Sequence, residues 1–282
     1  MLTLFYCLSL SLIAIVLVIS LVQKKKETIV RSLTLLVILH IICLAILQGT
    51  LAFTALASCI FIFGLYEVAK NYETNQILFG ISQVSLFILL LLNHQYIIYT
   101  IPLFLCICVF TFIGKSELVK KPAYLLLFSL FFLIPAANFL IELMNINPEN
   151  IVMLLLLLQL NDAFGYLFGK ALGKHKIFAT ISPSKTLEGY IFGGLGIILG
   201  IFILHTYIPV LQDNNIYQDI ILFTCIFIFG NAGDLLLSSL KRKLEIKDFS
   251  NLLPGHGGVL DRFDNFLFTS PIFYLLFIYH VI

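Results

Sequence analysis

Two carboxylates stand inside otherwise apolar sequence, and both are spaced alike from the nearest cation. Asp162 lies eight residues before Lys170 and Asp234 seven before Lys241, about 12 Å or slightly less along a helix at 1.5 Å per residue. An ionisable side chain at membrane depth costs on the order of 3 kcal/mol on insertion scales and usually faces a cavity, an ion or a partner. Asn231, Asp234 and Ser238 recur at i, i+3, i+7 and form one polar stripe. The stripe runs into Ser238–Asp264, whose 27 residues hold five Lys/Arg, four Asp/Glu, one His and three Gly in a chain that is only 11% charged. Lys241, Arg242, Lys243 and Lys247 suit phosphate oxygens, Arg bidentately, although a helix end beside a membrane carries such a basic collar anyway. The collar does not account for Pro254-Gly255-His256-Gly257-Gly258, where glycine permits positive φ and close backbone approach and main-chain N–H groups can cradle phosphate. Asp261 and Asp264 share a face if the last helix starts early. Carboxylates grouped with phosphate-binding cations match what Mg²⁺ on a polyphosphate requires, since Mg²⁺ is held by one or two carboxylates plus substrate oxygens. Asp261, Arg262 and Asp264 alone are equally a helix-capping cluster.

A second loop repeats the theme. Gly173-Lys174-His175-Lys176 leads to Ser182, Ser184, Lys185 and Thr186 just before another apolar run, and a helix N-terminus is a ready anion site. Glu188 is expected to cap that helix. There is no G-x-x-x-x-G-K-[ST] loop and no G-x-G-x-x-G after a strand, so any nucleotide is held by a different architecture.

The elements that must position these groups are membrane helices. The chain has 282 residues, 60% of them hydrophobic, with mean hydropathy +1.05, too little polar residue to cover a soluble domain. Apolar runs near the ~20 residues a bilayer demands predict ten spans, at about 2–22, 32–48, 51–67, 77–93, 96–113, 123–144, 151–172, 187–208, 219–240 and 266–282. The second and third are separated only by Gln48-Gly49-Thr50, as a tight hairpin or one kinked helix. All 17 Lys and Arg fall in, or at helix ends beside, the connections on one side: Lys24–Arg31, Glu67–Gln76, Gly114–Pro122, Gly173–Thr186 and Lys241–Asn265. The positive-inside rule makes that side cytoplasmic and both termini external. With no basic n-region or cleavage site, the N-terminus reads as a retained helix. The six cysteines all fall in spans without zinc spacing and read as packing residues; His40, His94, His205 and His280 read as structural. Gly165, Gly169 and Gly173 repeat every four residues, as do Gly189 with Gly193 and Gly196 with Gly200. Such small-residue faces predict close packing of two sequential helices. The fold class is therefore an all-α, polytopic transmembrane bundle. Residues 1–150 form an N-terminal region of about six spans, and 151–282 a catalytic region with cytoplasmic loops 173–186 and 241–265.

Ser238–Asp264 resembles, over its whole length, the signature of the phosphatidate cytidylyltransferase (CDP-diacylglycerol synthase) family: Ser-x-apolar-Lys-Arg, then Lys-Asp, then Pro-x-His-Gly-Gly-apolar-x-Asp-Arg-x-Asp. Ser238, Lys241, Arg242, Lys247, Asp248, Pro254, His256, Gly257, Gly258, Asp261, Arg262 and Asp264 stand at the family's intervals. Gly233-Asp234, Asp162 with Gly165-Tyr166, and Ser182-Pro183-Ser184-Lys185-Thr186-Leu187-Glu188-Gly189 resemble further family stretches, so the specific likeness covers roughly residues 161–264. Ser184 departs from it, standing where many members carry a second lysine.

The resemblance implies transfer of a cytidylyl group from CTP to phosphatidate, giving CDP-diacylglycerol and pyrophosphate for phospholipid synthesis. It implies Mg²⁺, with a second, monovalent cation beside it, at Asp234 and Asp261 with Asp264 and Asp162 in support. Lys241, Arg242, His256 and Arg262 then act at the reacting phosphates; Lys185, Ser182, Thr186, Lys247, Asp248, Gly257 and Gly258 hold the nucleotide. The expected setting is the inner or plasma membrane of the cell, with the site facing the cytoplasm. The expected partners are CTP, phosphatidate and the bilayer, with no nucleic acid; a homodimer is compatible with the chain. Another CTP-dependent lipid-phosphate transferase would carry the same residues. A transporter with a cytoplasmic cation site would also explain intramembrane Asp, but it predicts a two-half repeat with interrupted helices, and none is visible.

Overall fold

A computed structural model describes residues 26–72, 76–92, 94–207, 215–255 and 257–281, with scattered positions between 3 and 14. Among the described residues there is no strand, only the isolated bridges Lys176–Thr186 and Leu253–Gly257. The helices are α1 (Lys26–Leu47), α2 (Thr50–Ala69), α3 (Gln76–Leu92), a 3₁₀ turn His94–Thr100 leading into α4 (Ile101–Ile113), the short α5 (Ser116–Val119), α6 (Pro122–Ile146), α7 (Pro148–Leu172), α8 (Leu187–Tyr207), α9 (Ile216–Lys243) and α10 (Leu260–Ile278). Five of them, Thr50–Ala69, Pro122–Ile146, Pro148–Leu172, the Leu187–Thr206 part of α8 and Ile216–Lys243, are long and apolar enough to cross a membrane. The apolar parts of α1, α3 and α4 are shorter, and the expected first span lies largely outside the described residues.

Gln48 and Gly49 make a hairpin. Gly49 takes φ 94, and residues far up both helices return to one loop: Thr34 on α1 bonds the Pro254 carbonyl and Glu67 on α2 bonds Val259 N–H. A single kinked helix would leave those two residues at opposite ends.

Helix α6 is the axis of the bundle. Its apolar window is 78% buried, and Phe128, Phe132, Phe139 and Leu140 are fully enclosed among α2, α3, α4, α7 and α10. Proline inside two helices is accommodated in two ways. Before Pro135, α6 widens to a π turn over Ser129–Leu133, with Ile134 N–H reaching back to the Ser129 carbonyl, so the ring does not have to fit a regular turn. In α10, Pro271 has no N–H for the Leu267 carbonyl, and Ser270 Oγ donates to that carbonyl at 3.0 Å while also reaching Ala136 O on α6 at 3.1 Å.

Helices α7 and α8 form the most extensive helix pair, as the glycine spacing predicts. A Cβ on Gly189 would sit 2.9 Å from the Gly165 carbonyl, and one on Gly193 would sit 2.7 Å from Asn161 Oδ1. Helices α9 and α10 approach closely at Gly233, where a Cβ would lie 3.0 Å from the Asp264 carbonyl. The last helix begins at Leu260, six residues before the expected span, so Asp261 and Asp264 do lie on helix. A second π turn, Ile226–Gly230, sits immediately before Asn231 and Asp234. Such turns are frequent at functional sites.

Candidate active site

Four elements converge on a cavity of about 520 Å³: α7, the 173–186 loop with the first turn of α8, the Asn231–Ser238 stripe of α9, and the start of α10. Asp162, Asp234, Asp261 and Asp264 all line it, together with Lys185, Thr186 and Arg262. Asp162 is exposed although it lies well inside α7, because the cavity reaches it.

The charges are already interlocked. Lys185 Nζ lies 2.6 Å from Asp234 Oδ2, with Ser238 Oγ donating to Oδ1 of the same carboxylate at 3.3 Å. Burial works against the charge on Lys185, but Asp234 and Asp162 more than offset this and hold its pKa above the ordinary lysine value. Asp162 accepts from Asn265 Nδ2 at 2.8 Å and Asn161 Nδ2 at 3.2 Å. Lys241, at the end of α9, turns inward to Asp261 Oδ1 at 2.6 Å and stacks over Phe249. Asp261 Oδ2 accepts Phe249 N–H at 3.0 Å and Gly258 N–H at 2.9 Å. Three donors thus occupy this carboxylate, which offers about four acceptor positions.

Not every residue expected at the site faces it. Arg242 spends its guanidinium on two carbonyls, Ile181 at 3.4 Å and Ile246 at 3.2 Å, and so ties the two loops together outside the cavity lining. Lys243 turns to the carbonyls of Thr111 and Phe112, where a cation suits the C-terminal end of α4. Lys247 and Asp248 are exposed and Ser182 half-buried, all three outside the lining. Thr186 lines the cavity, but its Oγ1 accepts Gly189 N–H and caps α8. Glu188, the expected cap, instead accepts from the N–H groups of Lys174 and His175 and from the His175 ring, closing the loop at its base. Gly257 does take positive φ, 84. The Gly258 N–H is committed to Asp261 rather than open to phosphate, and Gly258 is glycine for a different reason: a Cβ there would stand 2.6 Å from Glu67 Oε2. His256 lies outside the described residues.

Several lining residues carry no site role in the sequence reading. Lys170 and Tyr166, paired as cation and ring, line the wall formed by α7. Asn161 and Asn231 face each other at 3.4 Å. Tyr190 carries Lys185 against its ring. Among the described residues, three buried side-chain polar atoms have no hydrogen-bond partner, and two of them, Tyr190 Oη and Asn265 Oδ1, belong to residues of this cavity. Asn231 is legible as a member of the stripe with Asp234 and Ser238, and Tyr166 as part of a family stretch; Asn161 and Tyr190 carry no special spacing, and proximity to Asp264 is the one signal for Asn265.

A divalent cation fits this donor set in kind. Four carboxylates and an orphan carboxamide oxygen are hard oxygen ligands of the type Mg²⁺ takes. No three His, Cys, Asp or Glu side chains among the described residues form a ready cage, so substrate oxygens would have to complete any coordination.

An all-helical bundle with membrane-length spans, enclosing a cavity of carboxylates and ammonium groups, defines a multi-pass membrane protein with a site suited to phosphate chemistry. The chain belongs to the cytidylyltransferase family, whose model matches residues 29–280. It is 32% identical over 263 residues to a phosphatidate cytidylyltransferase of Staphylococcus aureus (strain COL), covering 88% of this chain and 98% of that protein. A phosphatidate cytidylyltransferase of Bacillus subtilis (strain 168) is 30% identical over 269 residues, covering 90% and 98%. One from Staphylococcus epidermidis (strain ATCC 12228 / FDA PCI 1200) reaches 40% over 123 residues, 44% of this chain.

Proposed function

We propose that this chain transfers the cytidylyl group of CTP to phosphatidate, releasing pyrophosphate. The observation that carries the reading is the cavity itself, in which Lys185 from one loop is paired with Asp234 from the other signature stretch and Arg262 stands at the start of α10. The names of the relatives supply the acceptor lipid.

In this reading a phosphatidate oxygen attacks the α-phosphorus of CTP, a new P–O–P bond forms, and the α–β bridging bond breaks to release pyrophosphate. A phosphate monoester with a second pKa near 6 is mostly dianionic at pH 7, so the nucleophile needs no strong base. The difficulty is bringing that anion against a triphosphate. Lys185, Lys170 and Arg262 offset the repulsion and hold attacking and leaving groups in line. The orphan Tyr190 hydroxyl and Asn265 Oδ1 are free to meet substrate groups. Mg²⁺ is the proposed metal; one or two of Asp234, Asp264, Asp162 and Asp261 would hold it, with substrate oxygens completing its coordination. When bound it draws charge from the departing pyrophosphate.

The basic bias of the loops supports a site facing the cytoplasm of the cell membrane, the side on which CTP is found, with the lipid entering from the inner leaflet. The test is to incubate purified protein with labelled CTP, Mg²⁺ and phosphatidate and to follow pyrophosphate and CDP-lipid. Formation of both in equal amounts supports the reading. Turnover with a different lipid phosphate and none with phosphatidate would replace the acceptor, and no nucleotide turnover at all would overturn the enzyme reading.

A further inference from the structure

Glu67 stands in the last turn of α2, within the half of the chain that carries none of the signature residues, yet it is fully buried. Its Oε1 accepts from Ser250 Oγ at 2.5 Å and Val259 N–H at 2.8 Å, and its Oε2 accepts from Leu260 N–H at 2.8 Å. Val259 and Leu260 open α10, so their N–H groups have no partner within the helix. A carboxylate there satisfies both and meets the positive end of the helix dipole. The side chain that caps α10 therefore comes from more than 190 residues away in sequence.

The same contact shapes the loop before α10. Gly258 must lack a Cβ because the Glu67 carboxylate occupies that space. With its Cα held there, Gly258 aims its N–H at Asp261, the carboxylate that receives Lys241. The segment from Phe249 to Leu260 is thus gripped by two carboxylates, Asp261 on the cavity side and Glu67 on the other. Thr34, on α1, adds a bond to Pro254 O.

We propose that Glu67 is a positioning residue for the cytidylyl transfer: from α2 it fixes where Asp261, Arg262 and the Gly257-Gly258 turn stand relative to Lys241. This rests on the reading that Asp261 belongs to the reaction site. It assigns the N-terminal helices a part in the chemistry beyond anchoring.

The test uses the full-length protein with Glu67→Gln, Glu67→Asp and, as reference, Asp261→Asn. Glutamine keeps the shape and one acceptor oxygen, but turns an NH₂ toward a donor that needs an acceptor. The expected result is a kcat on the order of 10–100-fold lower, the scale of a small misplacement of reacting groups, with the KM for CTP little changed. Hydrogen exchange should quicken across 249–260 while α6 stays protected. Glu67→Asp, which restores charge on a shorter arm, should recover part of the kcat. Wild-type kcat in Glu67→Gln with Asp261→Asn inactive overturns the proposal alone. So does a loss of activity matched by faster exchange throughout the bundle, because that marks a folding role only. Full activity in Asp261→Asn overturns the site reading and the proposal with it.

Discussion

Lys185 Nζ lies 2.6 Å from Asp234 Oδ2, an ion pair between the two halves of the site. Lys185 arrives from the loop before α8, and Asp234 from α9 just past the π turn. The glycine seam holds α8 against α7, and Gly233 holds α9 against α10. Neither partner is placed by its own helix alone. The ion pair reports whether both helix contacts have formed at once.

Removing either member is expected to stop turnover for different reasons. Asp234→Asn keeps the size but removes the charge proposed to hold the cation and one of the two oxygens that accept from Lys185 and Ser238; Lys185→Met removes a cation proposed to face phosphate. Each variant should insert normally and lose CTP-dependent CDP-lipid formation on the order of 100-fold or more, the cost of deleting one preorganised electrostatic contact. Labelled-CTP incorporation in membranes, normalised to protein level, measures this. Near-normal turnover in Asp234→Asn would remove that residue from the site.

The Lys241–Asp261 pair makes a prediction about stability. Its side chains are only 11% and 2% exposed. Breaking a buried pair by removing one partner leaves an uncompensated charge and typically costs about 3–5 kcal/mol. Lys241→Met should therefore lower the thermal unfolding midpoint in detergent markedly. The double variant Lys241→Met with Asp261→Asn should recover part of that loss, since neither charge is then stranded. Additive losses would mean that the two residues do not share one interaction.

How much of this was legible follows from the range of each interaction. Helix positions came from hydropathy, a local property, and nine of the ten expected spans coincide with described helices or helical segments. The α7–α8 pairing is readable because glycines repeat at short spacing within each of the two helices. Asp162, Asp234, Lys185, Asp261, Arg262 and Asp264 were readable as chemically out-of-place types and as motif members, and the structure gathers them in one cavity. What failed was partner choice. Arg242 and Lys243 look like phosphate ligands until the carbonyls of Ile181, Thr111 and Phe112 come within reach. Glu67 looks like an ordinary helix-end acid, and only the return of the chain at Val259 gives it a role. Gly258 was read as a phosphate cradle, whereas the fold requires it to make room for a carboxylate.

The α7–α8 seam can be tested at Gly193. A Cβ there would lie 2.7 Å from Asn161 Oδ1 and 3.0 Å from the Asn161 carbonyl. The backbone oxygen cannot swing away as a side chain would, so Gly193→Ala should push the helices apart at a cost of about 1–3 kcal/mol. Gly80, where no atom lies within 4 Å of a built Cβ, is the control, and Gly80→Ala should be neutral or slightly stabilising. Unfolding midpoints in one detergent compare the two. Activity should fall with Gly193→Ala because Asn161 neighbours Asp162.

Tyr190 separates binding from folding. Its hydroxyl is buried at the cavity without a hydrogen-bond partner, while its ring supports Lys185. Tyr190→Phe keeps the ring and removes only that oxygen, so the free protein loses no hydrogen bond and should unfold at the same temperature or slightly higher. If the hydroxyl meets a substrate phosphate or sugar, the variant loses one hydrogen bond to a charged group, worth about 1.5–3 kcal/mol, and kcat/KM for CTP or phosphatidate falls roughly 10–100-fold. Varying each substrate in turn shows which one the hydroxyl meets: a higher KM with unchanged kcat marks ground-state binding, and a lower kcat marks a contact made in the transition state. Unchanged kinetics with both substrates would place Tyr190 outside the site and leave it only the support of Lys185.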